Sequence, residues 1–112
     1  VRNYRKPPRN EAELEKRVRD WCKDNAWKRK KMSSPGSRGT LDDYFVKNGR
    51  HVWIEMKHGS NTPSGLQWKE IKDLRLFGAE AYWCNTLDQV VSVLNNDADF
   101  LDALPPQEEY LL

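Results

Sequence analysis

Residues 41–57, Leu-Asp-Asp-Tyr-Phe-Val-Lys-Asn-Gly-Arg-His-Val-Trp-Ile-Glu-Met-Lys, leave the chain few ways to fold. Asn48-Gly49 lies between two runs rich in β-branched and aromatic residues, and Asn-Gly is the strongest short signal for a two-residue hairpin turn. Side chains alternate along a strand. In the second strand Val52, Ile54 and Met56 therefore point one way, and Trp53, Glu55 and Lys57 the other. Glu55 and Lys57 share a face about 6.5–7 Å apart. Asp42 enters the first strand, one hairpin away. The second strand carries apolar residues on both faces, as a central strand does, and runs into a polar Gly/Ser/Asn/Thr/Pro loop.

The remaining elements follow from periodicity and punctuation. Asn10 is placed to cap a helix over 11–25, with Glu11 and Glu13 in its first turn and Leu14, Val18, Trp21 and Cys22 on its apolar face. Residues 26–32 read as a short strand, and the Ser-Ser-Pro-Gly-Ser-Arg-Gly run after it as a loop. Ser64 and Gln67 have the spacing of a capping box for a helix through Phe77, with Leu66, Ile71, Leu74 and Phe77 as its apolar stripe and Gly78 as its stop. A strand over 79–84 follows. Thr86 and Gln89 repeat the capping box for a helix through Leu94, with Val90, Val91 and Leu94 facing inward. The order α-β-β-β-α-β-α combines an antiparallel hairpin with a strand–helix–strand crossover. It predicts an α/β fold, a central mixed sheet flanked by helices on both faces.

At 112 residues the chain suffices for one domain with one modest core. The expected organisation is a flexible basic arm over 1–10, a single domain over 11–95 and an acidic, apolar segment over 96–112. Residues 1–31 hold twelve Lys and Arg against five Asp and Glu, while 96–112 hold five acids and no base. A basic arm suits phosphate backbones, because charge neutralisation there is independent of sequence. Phe100, Leu101, Leu104, Tyr110, Leu111 and Leu112 make the last segment too apolar for a solvated tail, so part of it is expected to pack on its own domain or on a second subunit. No stretch reaches the roughly 18 apolar residues of a membrane span, and the basic N-terminus lacks the apolar core of a signal peptide. Cys22 and Cys84 read as reduced, buried thiols, in keeping with a cytoplasmic setting. His51 and His58 lack the partners for a zinc site.

Hydrolysing a phosphodiester needs hard oxygen ligands that hold a divalent cation beside the phosphate. Magnesium asks for only one or two protein carboxylates. A nearby ammonium helps to hold the attacking water and to offset charge building on phosphorus. Asp42, Glu55 and Lys57 supply two ligands and the cation, and the Met56 carbonyl another oxygen. A solvated Glu/Lys face on a strand is the competing reading.

From about Glu11 to Leu94 the chain resembles the VRR-NUC domain, the virus-type replication-repair nuclease branch of the PD-(D/E)XK superfamily, in its stand-alone phage and bacterial form. The resemblance is carried by Ser34-Pro35-Gly36, Gly39-Thr40-Leu41-Asp42, Glu55-Met56-Lys57, Ser64-Gly65-Leu66-Gln67 and Gly78, in order and at family spacing, with Glu15 as the acidic residue of the first helix. Leu41 and Gly65 stand where that family has proline, and neither change removes a chemical group. The resemblance implies a restriction-endonuclease-like core with Asp42, Glu55 and the Met56 carbonyl as metal ligands. Lys57 would then position or activate the water, Gln67 would assist it from the following helix, and Glu15 would reach in from the first. For Gln67 the competing role is the capping box itself, and for Glu15 an exposed pair with Arg19. Asp43 is expected to face away from Asp42.

The resemblance further implies a Mg2+-dependent endodeoxyribonuclease, with Mn2+ as a substitute, acting as a homodimer on branched DNA such as four-way (Holliday) junctions. Lys31 and Arg38 are the preferred phosphate contacts. Trp21, Trp53 and Trp83 read as core residues, with Trp27 and Trp68 open. The alternative is a non-catalytic DNA-binding accessory module that retains the nuclease fold.

Overall fold

A computed structural model describes residues 6–32 and 39–108. The elements follow the order read from the sequence: α1 (Glu11–Asp24), β1 (Lys28–Lys31), β2 (Asp43–Lys47), β3 (Arg50–Met56), α2 (Gly65–Leu76), β4 (Glu80–Cys84), α3 (Leu87–Leu94) and a one-turn α4 (Phe100–Ala103) that the sequence did not signal. The sheet order is β1-β2-β3-β4, with β1-β2 and β2-β3 antiparallel and β3-β4 parallel. Asn48 and Gly49 turn the β2-β3 hairpin at φ 50° and 81°, the left-handed pair that a two-residue turn requires. Three of the four helix starts carry a side-chain cap where their sequences signal one, although the Gln89 side chain accepts from the Asn85 N–H and does not close a box with Thr86. Asn10 accepts from the Glu13 N–H, Ser64 and Gln67 close a full capping box, and Thr86 accepts from the Gln89 N–H.

Residues directly opposite across the sheet share a face. One face carries Phe45, Val52, Ile54, Met56 and Cys84, and packs against Leu14, Val18 and Cys22 of α1 and Val90, Val93 and Leu94 of α3. The other carries Ala81 and Trp83, packed against Trp68 and Ile71 of α2 with Leu41, while Trp53 and Leu74 lie at the margin. The stripe expected on α2 is thus corrected. Leu66 is 51% and Phe77 87% exposed, and the helix docks through Trp68 and Ile71 because it covers only the β4 side of its face. In α3 the deeply buried valine after Val90 is Val93, with Val91 half-buried. Trp27 is buried at the end of α1, with Lys47 and Arg50 over its ring.

Arg50 ties the sheet to the far end of α3. Its guanidinium meets Glu80 at 2.8 and 2.9 Å and donates to the carbonyls of Leu94 and Val93, where the helix dipole favours a cation. The C-terminal segment packs on its own domain as far as Gln107. Leu104 joins the main core. The Gln107 side-chain amide accepts from the Trp83 N–H at 3.0 Å and donates to the Trp83 carbonyl at 2.8 Å. Gln107 thus occupies the open edge of β4 in place of another strand, which blunts edge-to-edge association. Tyr110, Leu111 and Leu112 lie outside the described residues.

Gly39 has φ +82°, and a Cβ there would stand 3.1 Å from the Leu66 carbonyl oxygen. Only glycine lets the segment before Asp42 lie this close to the start of α2.

Candidate active site

Asp42 precedes β2, and the β2-β3 register pairs its neighbour Asp43 with Ile54. One further step places Asp42 opposite Glu55, on the α2 face of the sheet. Glu55 is 0% exposed, and among the described residues neither of its carboxyl oxygens has an N–H or O–H donor. The group it faces across the hairpin is the carboxyl of Asp42, whose charge and contact act on it directly. Burial pushes the Glu55 carboxyl far above the ordinary carboxylate range, and contact with Asp42 pushes it further, while Lys57 partly offsets both. Two acids in contact in a dry setting cannot both ionise without a cation between them. Lys57 follows two residues on along the same face. It is half-buried, and its N–H donates to the Cys84 carbonyl at 3.0 Å. Lys57 therefore turns its backbone toward β4, which directs the Met56 carbonyl toward β2, beyond the last paired residues of that ladder.

The first helix contributes differently from expectation. Glu15 lies on the opposite side of the sheet edge, with both carboxylate oxygens 2.8 Å from Lys31 Nζ and Oε1 3.8 Å from Arg29. Its competing role as a partner of Arg19 is not what the structure shows. Lys31, expected at a phosphate, is engaged with this acid. One turn earlier, Glu11 lies in the field of the site. Its carboxyl is raised first by burial and next by Asp42, and lowered by Lys57. The sequence offered a signal for Glu11: it is an acid four residues before Glu15, on the same helix face. Its place in the first turn reads equally as a partner of the helix dipole.

Gln67 closes the capping box. Its side-chain oxygen accepts from the Ser64 N–H at 2.9 Å and its own N–H donates to Ser64 Oγ at 3.2 Å. Only its amide nitrogen is left for a site. His58 Nε2 donates to the Pro8 carbonyl at 2.9 Å, tying the residues before α1 to the end of β3. Arg38 and Ser34-Pro35-Gly36 lie outside the described residues.

Asp43 faces away from Asp42, as its strand phase requires. It is fully buried, with Oδ1 2.7 Å from Arg29 Nε. The approach is at contact distance but out of line for a hydrogen bond, and among the described residues Oδ2 has no donor. Burial raises its carboxyl to about 7, against the pull of the Arg29 guanidinium. Behind the acid pair of the site thus runs a second charged row, Asp43, Arg29, Glu15 and Lys31.

Among the described residues no three acidic, His or Cys side chains form a ready-made cage for a metal ion. Magnesium needs less, because it keeps several of its waters and takes one or two carboxylates. A buried carboxyl without a donor, against a second carboxyl and beside a lysine, is a donor set that fits such an ion. No helix among the described residues is long and apolar enough to cross a membrane.

No protein-family model matches the sequence, and no curated protein matches it. A solved structure described as a VRR_NUC domain superposes with a TM-score of 0.68 at 20% identity, covering 78% of this chain and 96% of that one. The mixed four-stranded sheet with its flanking helices is the fold of that nuclease-type domain.

Proposed function

We propose that this chain, which has the fold of a VRR_NUC domain, is a Mg2+-dependent endonuclease that hydrolyses phosphodiester bonds in branched DNA such as four-way junctions. The observation that carries the reading is the Glu55 carboxyl, wholly buried, without a donor and in contact with Asp42. A protein that only bound phosphate would have no use for two abutting acids there, since they repel it. Asp42 and Glu55 would hold the ion with the Met56 carbonyl, and Mn2+ would substitute. When bound, the ion supplies Lewis-acid polarisation of the phosphate and a more acidic water. Lys57 orients the attacking water and offsets the charge gathering on the phosphate oxygens. The Gln67 amide nitrogen, left free by the capping box, would assist Lys57 from α2. Arg38 contacts the phosphate backbone, and the chain acts in the cytoplasm as a homodimer, whose two-fold symmetry matches a four-way junction.

Glu11, rather than Glu15, is assigned as the acid that α1 contributes to the ion. Glu11→Gln is expected to weaken Mn2+ binding, measured by titration calorimetry, by about tenfold, the scale of an outer ligand. Glu15→Gln should change it by less than about threefold, because Lys31 already neutralises that carboxylate. The reverse order of effects would return the role to Glu15.

The function itself is tested with labelled four-way junction, linear duplex and single strand, each with magnesium, manganese or chelator. Paired symmetric cuts on the junction that need metal are expected. Metal-dependent cutting of every substrate alike would retain the nuclease and remove the junction preference. Binding without any cut under either metal would leave a DNA-binding accessory module.

A further inference from the structure

Among the described residues, the α2 face of the sheet is only half covered. Helix α2 packs over Ala81 and Trp83, while toward β1 the same face presents Lys28, Lys30, Tyr44, Val46, His51 and Trp53, as the cross-strand pairs require. Tyr44, Val46 and Trp53 are half-buried and Lys28, Lys30 and His51 are exposed. The three rings form a continuous patch. Tyr44 and Trp53 lie directly opposite with centroids 4.6 Å apart, and Tyr44 and His51 lie diagonally with centroids 5.7 Å apart. The Tyr44 hydroxyl is hydrogen-bonded to His51 Nδ1.

Charge separates the two sides of β1. Arg29 and Lys31, on the other face, are held by Asp43 and Glu15. Lys28 and Lys30 have no ion pair among the described residues, and the open patch itself carries no acid. The patch also continues into the site: the Tyr44/Trp53 row lies two residues along the strands from the Asp42/Glu55 row, about 7 Å away.

We propose that this open sheet face is a stacking platform for the unpaired bases of a DNA single strand, with Lys28 and Lys30 on its phosphates, leading that strand to the acid pair. Aromatic faces accept any base, and flanking lysines add an attraction independent of sequence. The proposal rests on the nuclease reading for its direction, since it places the platform upstream of the cut, but its test does not depend on cleavage.

The test is binding of a fluorescent oligothymidylate by anisotropy, in chelator, beside a duplex of equal length. Tyr44→Ala is expected to weaken single-strand binding by about tenfold, the scale of one lost stacking contact, and to leave duplex binding within about twofold. Tyr44→Phe, which keeps the ring, should bind as the unaltered protein does. The Lys28→Ala/Lys30→Ala pair, at exposed positions with no bearing on folding, should reduce the salt dependence of single-strand binding. Single-strand affinity unchanged in Tyr44→Ala and in the double lysine variant would overturn the platform. So would an equal loss on duplex, or occlusion of the face by a second copy, seen as single-strand binding that falls as protein concentration rises. If the platform variants behave as expected while no DNA is cut, the platform stands and the nuclease reading fails.

Discussion

Replacing Glu55 by glutamine is expected to stabilise the protein while it removes its chemistry. In metal-free buffer at neutral pH the melting temperature should rise by roughly 5 °C or more, corresponding to about 1–3 kcal/mol. The reason lies in the contact with Asp42. Glu55 is fully buried and without a donor, and burial together with Asp42 raises its carboxyl. A group whose folded pKa is raised contributes its full stability below the unfolded value, near 4.3. It loses that contribution as pH rises toward the folded value. At neutral pH the protein therefore holds Glu55 protonated, or ionised beside Asp42, at a cost in either case. The glutamine amide needs no proton and donates to Asp42. Cleavage in magnesium should fall on the order of 10³-fold, because the ion loses a ligand and several kcal/mol of transition-state stabilisation go with it. Thermal melts with and without Mn2+ check both halves. The ion should raise the melting temperature of the unaltered protein and leave that of Glu55→Gln unmoved. A variant that is destabilised without metal would show that the carboxyl is satisfied in the folded protein.

The second large effect is expected from Arg29→Met, which leaves Asp43 buried without a cation. Removing one member of a buried ion pair costs about 3–5 kcal/mol. This loss should depend on pH in a definite direction. Burial raises Asp43 to about 7 while Arg29 pulls it down. Its contribution to stability is therefore complete below the unfolded value, near 3.9, and lost as pH climbs through about 7. Without Arg29 the carboxyl moves higher still. At pH 5 Asp43 holds a proton in both proteins, and only the packing part of the loss remains. At pH 8 the unaltered protein ionises Asp43 against Arg29, whereas the variant must keep the proton. Urea unfolding at the two pH values should give the larger difference at pH 8, and Asp43→Leu added to Arg29→Met should recover most of it. A difference independent of pH would mean that Asp43 is not the group left behind.

The parts legible in the sequence are those set by local rules. Asn48-Gly49 defined the hairpin and its register, and that register alone put Asp42 opposite Glu55 and Lys57 on the same face. Asn10, Ser64 and Thr86 marked three helix starts, and the strand phase sent Asp43 away from Asp42. The VRR-NUC resemblance supplied a fold that the structure bears out. What local rules do not contain is how elements settle on one another. Glu11 and Glu15 share one helix face, so only the placement of α1 on the sheet decides which reaches Asp42 and which meets Lys31. The apolar stripe of α2 pointed to Leu66 and Phe77, but a helix over one edge of the sheet buries a narrower face, centred on Trp68 and Ile71. Gln107 returns to Trp83 across 24 residues, a pairing that no periodicity announces. That α2 stops short of the half-face with Tyr44, His51 and Trp53 is likewise a matter of how that helix settles on the sheet.

The central claim, that Asp42, Glu55 and Lys57 form a metal-dependent hydrolytic site, is tested most directly by single-turnover cleavage of labelled DNA in magnesium by the unaltered protein and by Lys57→Ala, with DNA binding of both measured in chelator. The account predicts metal-dependent cleavage that falls by about 10²–10³-fold in Lys57→Ala, the scale of one removed electrostatic stabiliser, with DNA affinity kept within a few-fold. Cleavage that survives the substitution undiminished, or that proceeds equally in chelator, would contradict it.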